Sequence, residues 1–96
     1  MSITRINEFK AKEGQVEALL AKLRLSVPKI RSSRGCLSCR VFQHLESPSR
    51  IVIIEEWASE EAHVEAVKAI PVAVLQETMK LVTEPPYGEP YREVKV

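Results

Sequence analysis

The segment from Arg34 to His63 constrains the fold of this chain more than any other. Its run Arg50–Trp57, RIVIIEEW, predicts a strand that is apolar on both faces. Cys36–Leu45 predicts the preceding strand, and Glu46–Ser49 between them is rich in turn formers. Helices can cover one face of this strand. In so short a chain, we expect a second copy of the protein to cover the other.

Two helical regions flank these strands. An apolar stripe of helical period predicts a helix over residues 13–32, with a kink or weak last turn at Pro28 and a stop at Gly35. The stripe consists of Val16, Leu19, Leu20, Leu23, Val27 and Ile30. Ser59 predicts the N-cap of the second helical region, which we expect Pro71 to split into two helices.

The two ends of the chain predict two further strands. Residues 2–10 form the first, with Ile3, Arg5, Asn7 and Phe9 on one face. Glu84–Pro90 reads as a loop, and residues 91–96 alternate like a final strand. The resulting order, β-α-β-β-α(α)-β, predicts an α+β, ferredoxin-like fold with a four-stranded antiparallel sheet and helices on one face.

Composition and charge exclude several classes of protein. The 96 residues form a single domain, 1–96. The 14 Lys+Arg residues nearly balance the 13 Asp+Glu residues, so we expect no nucleic-acid partner. No apolar run is long enough to span a membrane, and the N-terminal MSITRINEFK lacks the apolar core of a secretion signal, so we expect no membrane partner and a cytoplasmic location.

The two cysteines, Cys36 and Cys39, have CxxC spacing but fall on a strand rather than at a helix N-terminus. Strand alternation would point them to opposite faces. We therefore expect neither a disulfide nor a shared metal, and the sequence contains no zinc motif and no phosphate-binding glycine loop.

Four short segments together resemble the antibiotic biosynthesis monooxygenase domain family, in the quinol-monooxygenase-like branch of the dimeric α/β-barrel superfamily. They are Phe9–Gly14, Gly35–Cys36, Ile54–Trp57 and the helix start Ser59–Ala62. The resemblance covers nearly the whole chain and thins after Ile70. It implies a ferredoxin-like fold, a homodimer joined sheet to sheet into a barrel-like interface, and a pocket between sheet and helices.

Some members of this family oxygenate phenols, quinols or anthrones without metal or organic cofactor. Others degrade haem with a strand-one Asn, a Trp ending strand three and a haem-ligating His. Asn7 and Trp57 match the first two of these residues. The ligand position falls near Ala66 or Val67, and His63 lies one helical turn earlier.

We predict catalytic roles for Asn7, Trp57 and His63. Asn7 would donate a hydrogen bond to a substrate oxygen, Trp57 would stack on an aromatic ring, and His63 would act as general base. Each also has a structural interpretation: a backbone-bonded strand amide, a core-packing indole, and a surface or interface imidazole. We expect His44 to have no catalytic role.

Three further residues are predicted to bind substrate. Arg40 could stabilise a phenolate or form a cross-strand ion pair, and Phe42 shares its strand face. Glu55 points the same way as Trp57, with an ion pair to Arg5 or Arg40 as the alternative.

The sequence thus favours a cofactor-independent monooxygenase acting on a small aromatic, with no cofactor and no metal. A non-catalytic dimer that binds a small ligand, or serves as a stress-related module, is the alternative. A haem enzyme is the third possibility.

Overall fold

A computed structural model describes residues 2–96, which form four strands and three helices. In chain order these are β1 (Ile3–Lys10), α1 (Val16–Arg31), β2 (Cys36–Gln43), β3 (Arg50–Trp57), α2 (Glu60–Lys68), α3 (Val72–Met79) and β4 (Tyr87–Tyr91). The predicted order is confirmed, and so is the ferredoxin-like α+β fold. No helix in residues 2–96 is long and apolar enough to cross a membrane.

The sheet is antiparallel throughout, with strand order β2-β3-β1-β4. Ile51, Ile53, Glu55 and Trp57 of β3 are buried, while the residues between them are half-buried or exposed. This alternation defines a helix face, which carries the odd-numbered residues of β1 and β3, and an outer face, which carries the even-numbered ones.

The core lies between α1 and the helix face. Leu19, Leu23 and Val27 of the predicted stripe are buried against Ile51 and Ile53. The stripe thus folds as its 3.6-residue period predicts, because residues three and four apart share one side of a helix.

The outer face mixes charged residues such as Arg40 and Glu56 with apolar residues that nothing in the described chain covers. Val52 and Ile54 are half-buried there, and Phe42, Tyr87 and Tyr91 are 42%, 61% and 49% exposed. The prediction that strand β3 is apolar on both sides is therefore confirmed.

Helix α1 ends where predicted but begins later than predicted. It begins at Val16 rather than near Glu13, because Gly14 adopts a positive φ of 77° in the turn before it. It also continues past Pro28 to Arg31, and Ser32 N–H donates to Pro28 O at 3.1 Å to close the last turn. Pro28 is exposed, so the carbonyl it leaves unbonded can face water.

The final strand lies earlier than predicted. The segment expected to be a loop contains β4, which pairs Gly88 with Asn7 and Pro90 with Arg5 across β1, while residues 92–96 form no strand. Because β4 is an edge strand, the missing N–H of Pro90 need not interrupt a ladder on both sides.

The prediction that the two cysteines face opposite ways is wrong. The register shifts between Cys36 and Ser38, so Cys36 pairs with Trp57 and Cys39 pairs with Glu55 on the helix face. A bulge at Leu37 adds the extra residue that brings both thiols to one side. Both cysteines are free, and burial raises the pKa of the Cys39 thiol to about 12.

Candidate functional site

Five polar or aromatic side chains meet where β1 and β3 lie beneath the start of α2. We call this group the Trp57 cluster; its members are Arg5, Asn7, Glu55, Trp57 and His63. The register places Arg5 opposite Glu55 and Asn7 opposite Ile53, so all four strand members lie on the helix face. His63 reaches them from α2.

Trp57 and Glu55 form the buried floor of the cluster. Trp57 is 1% exposed and Glu55 is 7% exposed, and the indole Nε1 donates to Glu55 Oε1 at 2.9 Å. Burial raises the pKa of the Glu55 carboxyl, against the opposing effects of this hydrogen bond, the charge of Arg5 and the Asn7 side chain. Glu55 is therefore a carboxyl group that holds a proton more tightly than usual.

His63 packs against Trp57 in a T-shaped arrangement. Ser59 accepts a hydrogen bond from Ala62 N–H at 3.2 Å, which confirms it as the N-cap and fixes the start of α2. The His63 and Trp57 ring centroids are 5.5 Å apart, with their planes at 71°. Burial and then the charge of Arg5 lower the pKa of His63, which favours the neutral imidazole that a general base requires.

Arg5 and Asn7 extend along the helix face toward β4. A methyl group at Gly88 would overlap Asn7 Oδ1 and would lie 2.9 Å from Arg5 Nη2. The glycine therefore leaves room for both side chains. The Arg5 Nε is buried and has no hydrogen-bond partner, and an unpaired buried donor costs about 1–3 kcal/mol.

Sequence reasoning considered Arg5 only as a possible ion-pair partner of Glu55. Strand alternation had placed Arg5 beside Asn7, but nothing in the sequence showed that its donor would be left unpaired. The side-chain ion pairs found within residues 2–96 join other residues, namely Lys22 with Glu77, Lys68 with Glu65 and Lys95 with Glu93.

Arg40 and Phe42 do not join the cluster. The bulge in β2 sets them on the outer face with Ser38, opposite Ile54 and Val52 respectively. The Arg40 guanidinium lies 5.2 Å from the Phe42 ring centroid, in cation–π contact. His44 is also remote, because its Nδ1 accepts the N–H groups of Glu46 and Ser47 in the β2–β3 turn.

Glu55 and Trp57 are buried at the base of the Trp57 cluster, whereas Arg5, Asn7 and His63 are half-buried. Two clefts lie elsewhere: one of about 380 Å³ beside Phe9, Ile51 and Tyr87, and one of about 320 Å³ between α1 and Val41. Neither α2 nor α3 contributes a fully buried residue. Helix α2, which lies over the cluster, is thus held by little apolar burial, and a ligand could reach Trp57 by displacing it.

Substituting Glu55 separates its hydrogen-bonding role from its charge. We expect Glu55→Ala to lower the free energy of unfolding by about 1–3 kcal/mol, because Trp57 Nε1 loses its buried acceptor. Glu55→Gln retains an acceptor oxygen and should be no less stable than wild type at neutral pH. Urea titrations of both variants and wild type measure these differences.

The pH dependence of the free energy of unfolding tests the direction of the Glu55 pKa shift. The folded protein binds this proton more tightly than the unfolded chain, so wild type should lose stability as pH rises from about 4.5 through the raised pKa of Glu55. The advantage of Glu55→Gln should therefore grow over that range and vanish below it. A wild-type advantage that grows with pH would contradict a raised pKa.

Comparison with known proteins agrees with the architecture. The family model described as "Antibiotic biosynthesis monooxygenase" matches residues 2–73. No curated protein sequence matches the chain significantly.

Several solved structures share the fold over nearly the full length of both chains. Rv0793 from Mycobacterium tuberculosis has a TM-score of 0.87 at 19% identity, covering 100% of this chain and 98% of its own. SO0527 from Shewanella oneidensis has a TM-score of 0.82 at 27% identity, covering 96% and 90%. A mutant of SnoaB, a cofactor-independent oxygenase from Streptomyces nogalater, has a TM-score of 0.85 at 14% identity, covering 99% and 95%.

Proposed function

Because the chain belongs to the antibiotic biosynthesis monooxygenase family, we propose that it oxidises an electron-rich hydroxyaromatic compound with O2, without a cofactor. The substrate class is a quinol, a phenol or an anthrone-like molecule. The observation that carries this proposal is the convergence of Asn7, Glu55, Trp57 and His63 on one face of the sheet. It unites a hydrogen-bonding amide, proton-accepting groups and an aromatic wall.

The chemistry needs little from the protein beyond these groups. Loss of the hydroxyl proton makes the ring electron-rich enough to reduce O2 directly. For an anthrone-like substrate, one oxygen atom becomes a product carbonyl in place of two hydrogens, and the other leaves as water. The substrate supplies all the electrons. The protein orients the ring, accepts the proton and excludes water.

We assign the proton-accepting role to His63. Its lowered pKa keeps the imidazole neutral at pH values where an ordinary histidine would begin to protonate. Glu55, which already accepts from Trp57, would hold the indole in place. Asn7 lies on the same face of the sheet as Glu55 and Trp57, and its amide would donate a hydrogen bond to the substrate oxygen.

Trp57 would contact substrate only after α2 moves. The indole is 1% exposed and packs against His63, so its flat face is not open to a ligand. We propose that a flat aromatic ligand inserts between α2 and the sheet. Its ring would stack on Trp57 and take the place of the contact between His63 and Trp57.

We further propose that the protein is a homodimer joined through its outer faces. The apolar residues exposed there would be buried against the same residues of a second copy, as a two-fold interface requires. Arg40 and Phe42 would then be interface residues rather than substrate ligands. Light scattering at micromolar concentration should give twice the chain mass, and a monomer mass would contradict this arrangement.

Oxygen uptake by metal-stripped protein tests the proposed activity. With a panel of hydroquinones, anthrones and flavonols, we expect uptake above the spontaneous rate for at least one compound. Asn7→Ala should reduce that rate about 10- to 100-fold, the effect of losing one hydrogen bond to a charged group. The matched control is Gln76→Ala, which removes an exposed amide on α3 and should leave the rate unchanged.

The same experiment separates the alternatives. No uptake with any compound, combined with saturable binding of an aromatic, would favour the non-catalytic ligand-binding dimer. Equal rates for Asn7→Ala and wild type would remove Asn7 from the mechanism. A Soret band on haem titration that His63→Ala abolishes would instead favour a haem protein.

A further inference from the structure

Arg5 carries hydrogen-bonding capacity that the folded chain does not use. Its Nε lies below the surface without an acceptor, although the residue as a whole is only half-buried. A guanidinium keeps its charge at all physiological pH values and presents five donors in a planar fork. A cation held at a partly enclosed site with an unpaired donor is suited to an anionic oxygen.

Within residues 2–96, no neighbouring side chain forms an ion pair with Arg5. Glu55 lies opposite Arg5 in the register, but its Oε1 accepts from Trp57, and burial favours its protonated form. His63 on α2 is neutral or positive, and Cys36 and Cys39 on β2 have raised pKa values. On β4, Arg5 faces Pro90, which has no polar side chain.

Gly88 lets Arg5 and Asn7 lie close together on the helix face. Gly88 on β4 has no side chain, and any Cβ there would collide with Asn7 and crowd Arg5 Nη2. The guanidinium and the Asn7 amide thus approach the same point on the helix face. An anionic ligand oxygen bound beside this point would accept a charge-assisted hydrogen bond from the guanidinium.

We infer that Arg5 is the specificity-determining residue of the site, selecting hydroxyaromatic ligands as their phenolate anions through a charge-assisted hydrogen bond. This inference rests on the proposed function and adds the ionisation state of the ligand. It also replaces Arg40, which lies on the outer face, as the arginine that meets the phenolate.

Arg5 would also make the hydroxyl group of the bound ligand more acidic. The positive charge of Arg5 stabilises the phenolate, so the bound hydroxyl ionises at lower pH than the free one. His63 can take the proton, since it lies within the Trp57 cluster. Glu55 has the same sign as the ligand when ionised, so its protonated form suits a bound phenolate.

The test uses 4-nitrophenol, whose phenol and phenolate forms differ in absorption. The bound probe should ionise about one pH unit or more below the free probe, because an opposite charge at short range shifts a pKa by about 1–3 units. Arg5→Gln should abolish the shift. Arg24→Gln, the same change at an exposed position on α1, should retain it.

A ligand pair tests the inference without any variant, in case Arg5→Gln does not fold. Above the pH at which 4-nitrophenol ionises, wild type should bind it about tenfold more tightly than 4-nitroanisole, the methyl ether that cannot ionise. Equal affinity for the two ligands would overturn the inference.

Failure of the inference and failure of the proposed function give different results. Binding of 4-nitrophenol with an unshifted ionisation, or with the same shift in Arg5→Gln, would overturn the role of Arg5 and leave oxygen uptake intact. Absence of both aromatic binding and oxygen uptake would overturn the proposed function along with it.

Discussion

Replacing Trp57 with Ala should lower the free energy of unfolding by about 3–5 kcal/mol, the range for a large aromatic side chain lost from a well-packed core. Trp57 is 1% exposed and is among the largest fully buried side chains in the structure. The substitution also leaves Glu55 without its indole donor. A domain of 96 residues has few kcal/mol to lose, so we expect much of this variant to be unfolded at physiological temperature.

Trp57→Phe is the matched control. It retains an aromatic ring in the same space and loses only part of the volume and the Nε1 donor, so we expect a loss of about 1–3 kcal/mol. Circular dichroism should follow both unfolding transitions, since Trp57 is the only tryptophan and its fluorescence disappears with it. A loss below about 1 kcal/mol for Trp57→Ala would show that the indole is not part of the core.

Replacing Gly35 with Ala should lower the free energy of unfolding by about 2–5 kcal/mol, for two independent reasons. Gly35 has a φ of 85°, which costs a residue with a side chain about 1–2 kcal/mol. A Cβ there would also lie 2.5 Å from the Cβ of Ala62, on the first turns of α2, and such overpacking costs a further 1–3 kcal/mol, approximately. The substitution should push α2 away from the sheet and disturb the position of His63.

Gly14→Ala separates the two causes. Gly14 has a similar φ of 77°, but no atom lies within 4 Å of the Cβ position. It should therefore show only the backbone penalty, about 1–2 kcal/mol. Equal losses for the two variants in thermal unfolding would show that α2 does not pack closely on Gly35.

Local patterns predicted most of the fold. The run Arg50–Trp57 is a strand with the predicted bounds, because apolar residues on both faces suit a strand at the interior of a sheet. Ser59 caps α2, and Pro71 separates α2 from α3, because both residues act on backbone groups within a few positions.

The errors arose where a distant partner determines the local conformation. The bulge at Leu37 exists because β2 must pair with β3 in a register that no local pattern of β2 encodes. Strand β4 includes Gly88 and Pro90, although both are poor strand formers. Pro90 is accepted because β4 is an edge strand, where a residue without an N–H group is tolerated. Gly88 is accepted because a Cβ at this position would overlap the Asn7 side chain.

The candidate site was predicted in part for the same reason. Strand alternation grouped Asn7 with Arg5 and Glu55 with Trp57, and the structure brings both pairs together with His63. The unpaired donor of Arg5 and the near-complete burial of Trp57 depend on how α2 and β4 close over the sheet. Those contacts join residues far apart in sequence, so the hydrophobic periodicity of a single segment cannot predict them.

Fluorescence of Trp57 tests the central claim most directly, because the single tryptophan lies at the proposed site. The protein would be titrated with the aromatic compound that supports the fastest oxygen uptake. The proposed mechanism predicts saturable quenching of the Trp57 emission, with half-saturation at the concentration that gives half-maximal uptake under slow turnover. Oxygen uptake that saturates while the Trp57 emission stays unchanged would contradict it and place the reaction elsewhere on the molecule.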